Sequence, residues 1–253
     1  MPKKVTQFFN VPRLLSWLDI LAISAWGLLL LQYWLTGKLR LLVHPDYFIL
    51  IVATGVTLLL IAIFRAKELW RKRLQPKVQH LTSFPPGWSS GILLATALLG
   101  LMVTPHTLVS QAALQQGLTD SFVSTRIQPQ AFQSSVRPEE KSLVDWARTL
   151  AVYPEPETYI GQTAKVQGFV VHLTKLPDPY FLITRFVIAH CALDAYPVAL
   201  PVQLTQSRNA YPPDTWLEIE GQMITADLEG KRQLTIQAKS LKPIPEPKNP
   251  YEY

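Results

Sequence analysis

Residues 47–64 read YFILIVATGVTLLLIAIF, eighteen positions in a row without a charge. A run of this kind restricts the fold more than any other stretch of the chain. At ~1.5 Å per residue a helix of that length reaches most of the way across a ~30 Å hydrocarbon core, where only a helix or a closed barrel satisfies its own backbone. Two further stretches follow the same logic. Residues 14–36 are apolar apart from Asp19 and a few neutral polar side chains, and residues 87–104 are apolar between Pro85, Pro86 and Pro105. The first run is longer than a secretory core and ends in TGKLR without a small-residue cleavage site, so it is read as a permanent helix. Three transmembrane helices are expected.

The basic residues orient them. Arg65, Lys67, Arg71, Lys72, Arg73 and Lys77 lie between the second and third runs, and Lys3, Lys4 and Arg13 precede the first, whereas only Lys38 and Arg40 separate the first two. The positive-inside rule then predicts a cytoplasmic N-terminus and an extracytoplasmic C-terminal part. Asp19 is the one ionisable residue within a run; such residues are functional candidates by default, although its position less than two turns from Arg13 also suits a place near the headgroups.

The net charge of +6 belongs entirely to the first part of the chain: residues 1–159 hold 15 Lys and Arg against 9 Asp and Glu, and residues 160–253 hold 9 of each. A neutral C-terminal part offers no basic patch, so nucleic acid is not expected as a partner; the lipid bilayer is. Residues 111–137 are rich in Gln, Ser and Thr and read as a linker. Pro138, Glu139 and Glu140 then open a short amphipathic helix in which Leu143, Trp146, Ala147 and Leu150 repeat at helical spacing. From residue 159 the period becomes two: Ala164, Val166, Gly168 and Val170 alternate with Lys165, Gln167, Phe169 and Val171, and later Leu217, Ile219 and Met223 alternate with Glu218, Glu220 and Gln222. With runs at 180–188, 200–205 and 233–241, about five antiparallel strands are expected, joined by turns at LPDP, RNAYPPD and DLEGK.

The fold class predicted is therefore an α+β membrane protein: three N-terminal transmembrane helices, a linker, a short helix and a small antiparallel β-barrel of the OB type. The boundaries are a membrane domain at 1–106, linker and helix at 107–152, barrel at 153–245, and a proline-rich tail at 246–253 without a core-forming pattern.

The candidate site is the end of the strand beginning at Tyr180. His190, Cys191 and Asp194 fall within five residues, and Cys191 is the only cysteine. Two readings stand side by side. In one, Arg185 and Asp194 form a bidentate pair that pins the loop while Cys191 packs as a small hydrophobe. In the other, His190, Cys191 and Asp194 bind a zinc or copper ion, which requires a bulge or turn at 189–192 and a fourth ligand from His172 or a partner. No nucleophile elbow, phosphate loop, dinucleotide glycine motif or HExxH helix occurs, so no enzymatic activity is expected.

The order of three runs, polar linker, DW-containing helix, YIGQTAKVQGFVV and RFVIAHCALDAYPVALPV resembles the YcgQ-like family of bacterial membrane proteins. Members commonly carry two adjacent cysteines before an acidic residue; His190 stands in the first of those positions here, with Cys191 and Asp194 kept. The resemblance implies an accessory subunit of a two-component permease in the bacterial inner membrane, paired with a larger multi-span subunit, its extracytoplasmic domain binding or delivering a small solute or metal ion. The alternative is a membrane-anchored binding or assembly module without a transport role.

Overall fold

The computed structural model describes residues 11–71, 87–118 and 137–253. Its contacts divide the chain into two compact units, Met1–Pro105 and His106–Tyr253.

The first unit is helical. Helix α1 spans Val11–Leu35, α2 Phe48–Trp70 and α3 Trp88–Met102. Two of the three have the length and composition to cross a membrane: Leu14–Leu35, with mean hydropathy 2.0, and Pro45–Trp70, with 2.7. Helix α3 is apolar but only 15 residues long. At ~1.5 Å per residue it rises about 22 Å, short of the hydrocarbon thickness, so the structure presents two long apolar helices rather than the three spans expected.

Helix α1 packs against both others. Against α2 the packing depends on small residues: a Cβ built on Gly27 would stand 3.0 Å from the carbonyl oxygen of Gly55, and one on Gly55 would stand 3.3 Å from that of Gly27. The antiparallel backbones come this close only because neither position carries a side chain, the usual device where no hydrophobic drive separates protein from lipid. Toward α3 the contacts are polar and recur every seventh residue of α1. Asp19 accepts a hydrogen bond from the Ser90 hydroxyl, Trp26 donates to the Leu93 carbonyl at 2.9 Å, and Tyr33 donates to that of Gly100 at 2.6 Å. This fixes α1 and α3 as parallel neighbours and gives Asp19 a partner within the unit. Of the basic loop, Lys72, Arg73 and Lys77 lie outside the described residues.

The second unit is α+β with a six-stranded sheet: β1 Thr163–Val171, β2 Tyr180–Val187, β3 Tyr196–Gln203, β4 Trp216–Leu228, β5 Lys231–Pro243 and β6 Tyr251–Glu252. The order is β1-β4-β5-β3-β2-β6, and β1 also pairs with β2, so the pairings of the first five strands form a ring. All are antiparallel except β3 with β5 and β2 with β6. The DLEGK turn is the tight β4–β5 hairpin, with Glu229 at φ 52° and Gly230 at φ 73°, the pair of left-handed residues that a two-residue turn of right-handed twist needs. Strand β3 begins four residues earlier than its composition suggests, and runs through Pro197 and Pro201. It meets β5 only at Val202 and Gln203, so those prolines fall where no ladder bond toward β5 is required.

The core lies inside the ring: Val166, Val170, Phe181, Ile183, Val198, Leu200, Leu217, Ile219 and Ile236 are all at most 2 % exposed. Helix α5, Leu143–Val152, adds Leu143, Val144, Trp146 and Ala147 to it. This helix starts later than the proline suggests. Pro138–Glu140 forms a separate 3-10 turn, and Ser142 caps α5 through a reciprocal pair of bonds with Asp145. The alternation holds through residues 163–168 of β1 and 216–223 of β4, but the end of β1 departs from it, since Phe169 and Val171 are as buried as Ala164 and Val166. Helix α4, Ser110–Ala113, contacts β1, and the helical turn Leu114–Leu118 after it contacts β3, with Ala113 and Leu118 buried. The start of the expected linker is thus part of the packed unit; residues 119–136 lie outside the described ones.

The tail also differs from expectation. Residues 251–252 form β6 beside Phe186 and Val187, and Tyr251 is 2 % exposed, its hydroxyl accepting from the Leu108 N–H at 3.1 Å. A proline-rich segment has no periodicity to advertise, yet its Tyr251 fills a core position.

Candidate functional site

Strand β2 ends at Val187, and the chain turns through residues 188–195 before β3. One carboxylate organises this turn. Asp194 accepts backbone N–H bonds from Ala189 at 3.1 Å, from His190 at 2.9 Å and from Cys191 at 3.2 Å, while His190 Nδ1 lies 3.0 Å from the same group. Its own N–H donates to the Cys191 carbonyl at 3.0 Å, closing the turn. Burial works to raise the carboxyl pKa, but the converging N–H donors outweigh it and hold Asp194 below the usual carboxylate range.

The turn demanded at 189–192 is therefore present, and it brings His190 and Asp194 together, with Cys191 joining through its backbone N–H. It does not assemble a ligand set: no group of three or more His, Cys, Asp or Glu side chains among the described residues is placed to hold a metal ion. The donor chemistry explains why. A carboxylate already accepting several N–H bonds has its lone pairs directed at the backbone, and a zinc or copper ion would have to displace them. The imidazole of His190 is largely solvent-exposed, and Leu193 at the tip is 96 % exposed.

Arg185 does not pair with Asp194. Its guanidinium donates to the carbonyls of Asn249 at 2.9 Å and Pro250 at 3.3 Å, stands 3.5 Å from the Glu252 carboxylate, and lies over the Trp216 ring at 5.5 Å. The reason is direction. Asp194 lies beyond the end of β2 and turns back on its own loop, whereas the tail runs alongside β2 and offers two carbonyls and a carboxylate at the height of Arg185. Both charges are largely buried, at 12 % and 20 % side-chain exposure. Desolvation lowers the Arg185 pKa despite Glu252, and raises that of Glu252 despite Arg185, so burial outweighs the mutual attraction on both sides.

Around this pair lies an open cleft of about 270 Å³ whose lining includes Lys141, Ser142, Lys165, Gln167, Glu218 and Glu252 as well as Arg185. Its cations have local partners, while Glu139 and Glu140 add acidic charge to the rim. Lys165 Nζ is 2.6 Å from Glu220 and 3.8 Å from Glu218, Gln167 donates to Glu218 at 2.8 Å, and Lys141 lies 4.6 Å above the Trp146 ring. Burial lowers the Lys141 pKa, with Asp145 opposing. Arg148 donates to the Tyr253 carbonyl at 3.0 Å and completes the hold on the tail. Glu252, Trp216, Lys141 and Arg148 are absent from the sequence-predicted set. The one signal available for them was the Tyr-Glu-Tyr terminus, two aromatics around an acid after a proline-rich stretch.

Residues 124–253, just over half of the chain, match the family model described as the DUF1980 C-terminal domain. The chain belongs to this family. The matched region contains α5, all six strands, the Asp194 turn and the Arg185 cleft, so the DUF1980 C-terminal domain includes the whole candidate site. The family is uncharacterised. No curated protein and no solved structure matches the chain.

Proposed function

We propose that this protein is the membrane-anchored accessory subunit of a two-component permease, as the YcgQ-like resemblance implies. Its helices dock on a larger multi-span partner, and its β unit, an OB-like barrel on the extracytoplasmic side of the bacterial inner membrane, binds or delivers a small solute. The observation that carries this reading is the bareness of α2: only 11 % of its apolar window is buried within the chain, with Ile49, Leu50, Leu60 and Phe64 all more than 60 % exposed. A surface of that kind must be covered by lipid or by other helices. The ring of five strand pairings, with its single parallel contact between β3 and β5, supports the barrel. The polar ladder from α1 supports α3 as a third, short crossing, which places the termini on opposite sides. The second reading, an anchored binding or assembly module, is favoured by the partners that Lys141, Lys165 and Arg185 already have within the cleft.

Purification from membranes in mild detergent separates the two. A stoichiometric multi-span protein should accompany the chain; its absence leaves the anchored module. For topology, cysteine labels at residue 70 and at Gln203, in a Cys191→Ser background, should react from opposite sides of the membrane. Reaction from the same side would remove the third crossing and the extracytoplasmic placement.

A further inference from the structure

Helix α1 has a face that the other described residues of its unit leave largely uncovered. Leu14, Leu21, Leu28 and Leu35 are 67, 54, 56 and 74 % exposed, one leucine at every seventh position over the length of the helix. Between them, on the same side, lie Leu18, Ala25 and Gln32, so the stripe reads Leu14, Leu18, Leu21, Ala25, Leu28, Gln32, Leu35 with steps of four and three residues in strict alternation. That is the spacing of a coiled-coil seam, which repeats every 3.5 residues so that each side chain seats against a facing helix. The contacts within the unit fall mainly on other faces: Gly27 and Leu31 meet α2, and Asp19, Trp26, Leu29 and Tyr33 meet α3, while within the stripe Leu18 lies near Gly87 at the start of α3.

From this geometry we infer that the chain forms a parallel homodimer through the Leu14–Leu35 face of α1. Lipid contact asks only that a face be apolar; it imposes no register and has no use for an amide. The stripe has both a register and an amide. Gln32 is exposed on a helix apolar enough to span a membrane, and its side chain has no hydrogen-bond partner among the described residues. A side-chain amide at such a place is satisfied by another across a helix interface. The second copy is the occupant because the stripe is complementary to itself. Every copy inserts in the same direction, so two α1 helices in one bilayer are parallel, leucine meets leucine at each seventh position, and Gln32 meets Gln32 across the two-fold axis, where a polar seam residue sets the register. Ala25 at the middle lets the backbones approach, and the stripe carries no charge to oppose pairing. The inference needs α1 to cross the bilayer but does not depend on a permease partner.

The test uses the full chain with Cys191→Ser, in native membranes, carrying one cysteine at a time under mild oxidation. Leu21→Cys and Leu28→Cys should give a disulfide-linked species of twice the chain's mass, several-fold more abundant than that from Ile23→Cys or Leu30→Cys on the other side of the helix. Gln32→Leu in the Leu28→Cys chain should reduce that yield. Since cysteine substitutions can disturb packing, the mass of the unmodified chain is measured in polymer-bounded native nanodiscs, where two copies per particle are expected. No crosslink at any position, equal yields on both faces, adducts with a different protein at Leu21 and Leu28, or one copy per particle would each overturn the inference. Loss of the permease partner in the purification above leaves every one of these outcomes unchanged.

Discussion

The ion pair that fastens the tail allows a quantitative test. Arg185→Met removes the donors to Asn249 and Pro250 and leaves Glu252 buried without its counter-charge. Breaking a buried pair from one side costs about 3–5 kcal/mol, mostly the penalty on the stranded charge. Glu252→Gln is milder, about 1–3 kcal/mol, because the guanidinium keeps its two carbonyl acceptors. In the double variant no charge is stranded, and the remaining loss is that of two hydrogen bonds, about 1–3 kcal/mol. The double variant should therefore be no less stable than Arg185→Met alone, and the two single losses together should exceed the double loss by about 4 kcal/mol at the centre of these ranges. A chain with two units need not unfold in one transition, so a local probe is preferable to a melting curve. The Ile188 N–H donates to the Glu252 carbonyl at 3.0 Å, and its hydrogen exchange reports release of the tail directly. Single-variant effects that simply add in the double, to within about 0.5 kcal/mol, would refute the coupled clasp.

The pH dependence of the same pair has a definite sign. Glu252 has a raised pKa in the fold, so the native state holds its proton more tightly than the unfolded chain, and stability falls as pH rises from the ordinary glutamate range through the raised value. Glu252→Gln should flatten that slope in exchange measured against pH. Asp194 acts oppositely: its depressed pKa contributes stability that is present above the ordinary aspartate range and lost as pH falls through the folded value, so Asp194→Asn should remove an acid-side decline in protection at His190 and Cys191. Tyr251→Ala empties a core position and removes the acceptor for Leu108; a loss of about 3–5 kcal/mol is expected, seen as faster exchange along β2, and a change below about 1 kcal/mol would mean the tail is dispensable. In the helical unit, Gly27→Leu should separate α1 from α2, since even a Cβ there stands 2.9 Å from Leu59; faster hydrogen exchange along α1 and α2 would show it, and unchanged exchange would contradict the close approach.

The apolar runs made α1 and α2 legible because a membrane imposes a local rule, length and absence of charge, that needs no knowledge of neighbours. Period two likewise located β1, β4 and β5, and the DLEGK hairpin followed from residues that tolerate positive φ. Residue types singled out Asp194 past the end of β2 and left open whether it served a metal or a clasp on Arg185; the N–H donors that surround it come from the turn itself. What they left out was set by packing at long range. Phe169, on the second face of β1, is buried against the rings of Phe186 and Trp216, and β6 exists because β2 has a free edge at Phe186 and Val187 for Tyr251 and Glu252 to fill. Arg185 illustrates the limit best. Its type and its strand were readable, and so was its need for a partner; but Glu252 is 67 positions away in sequence, and only the tertiary fold, by laying the tail along β2, decided that this acid and not Asp194 would meet it.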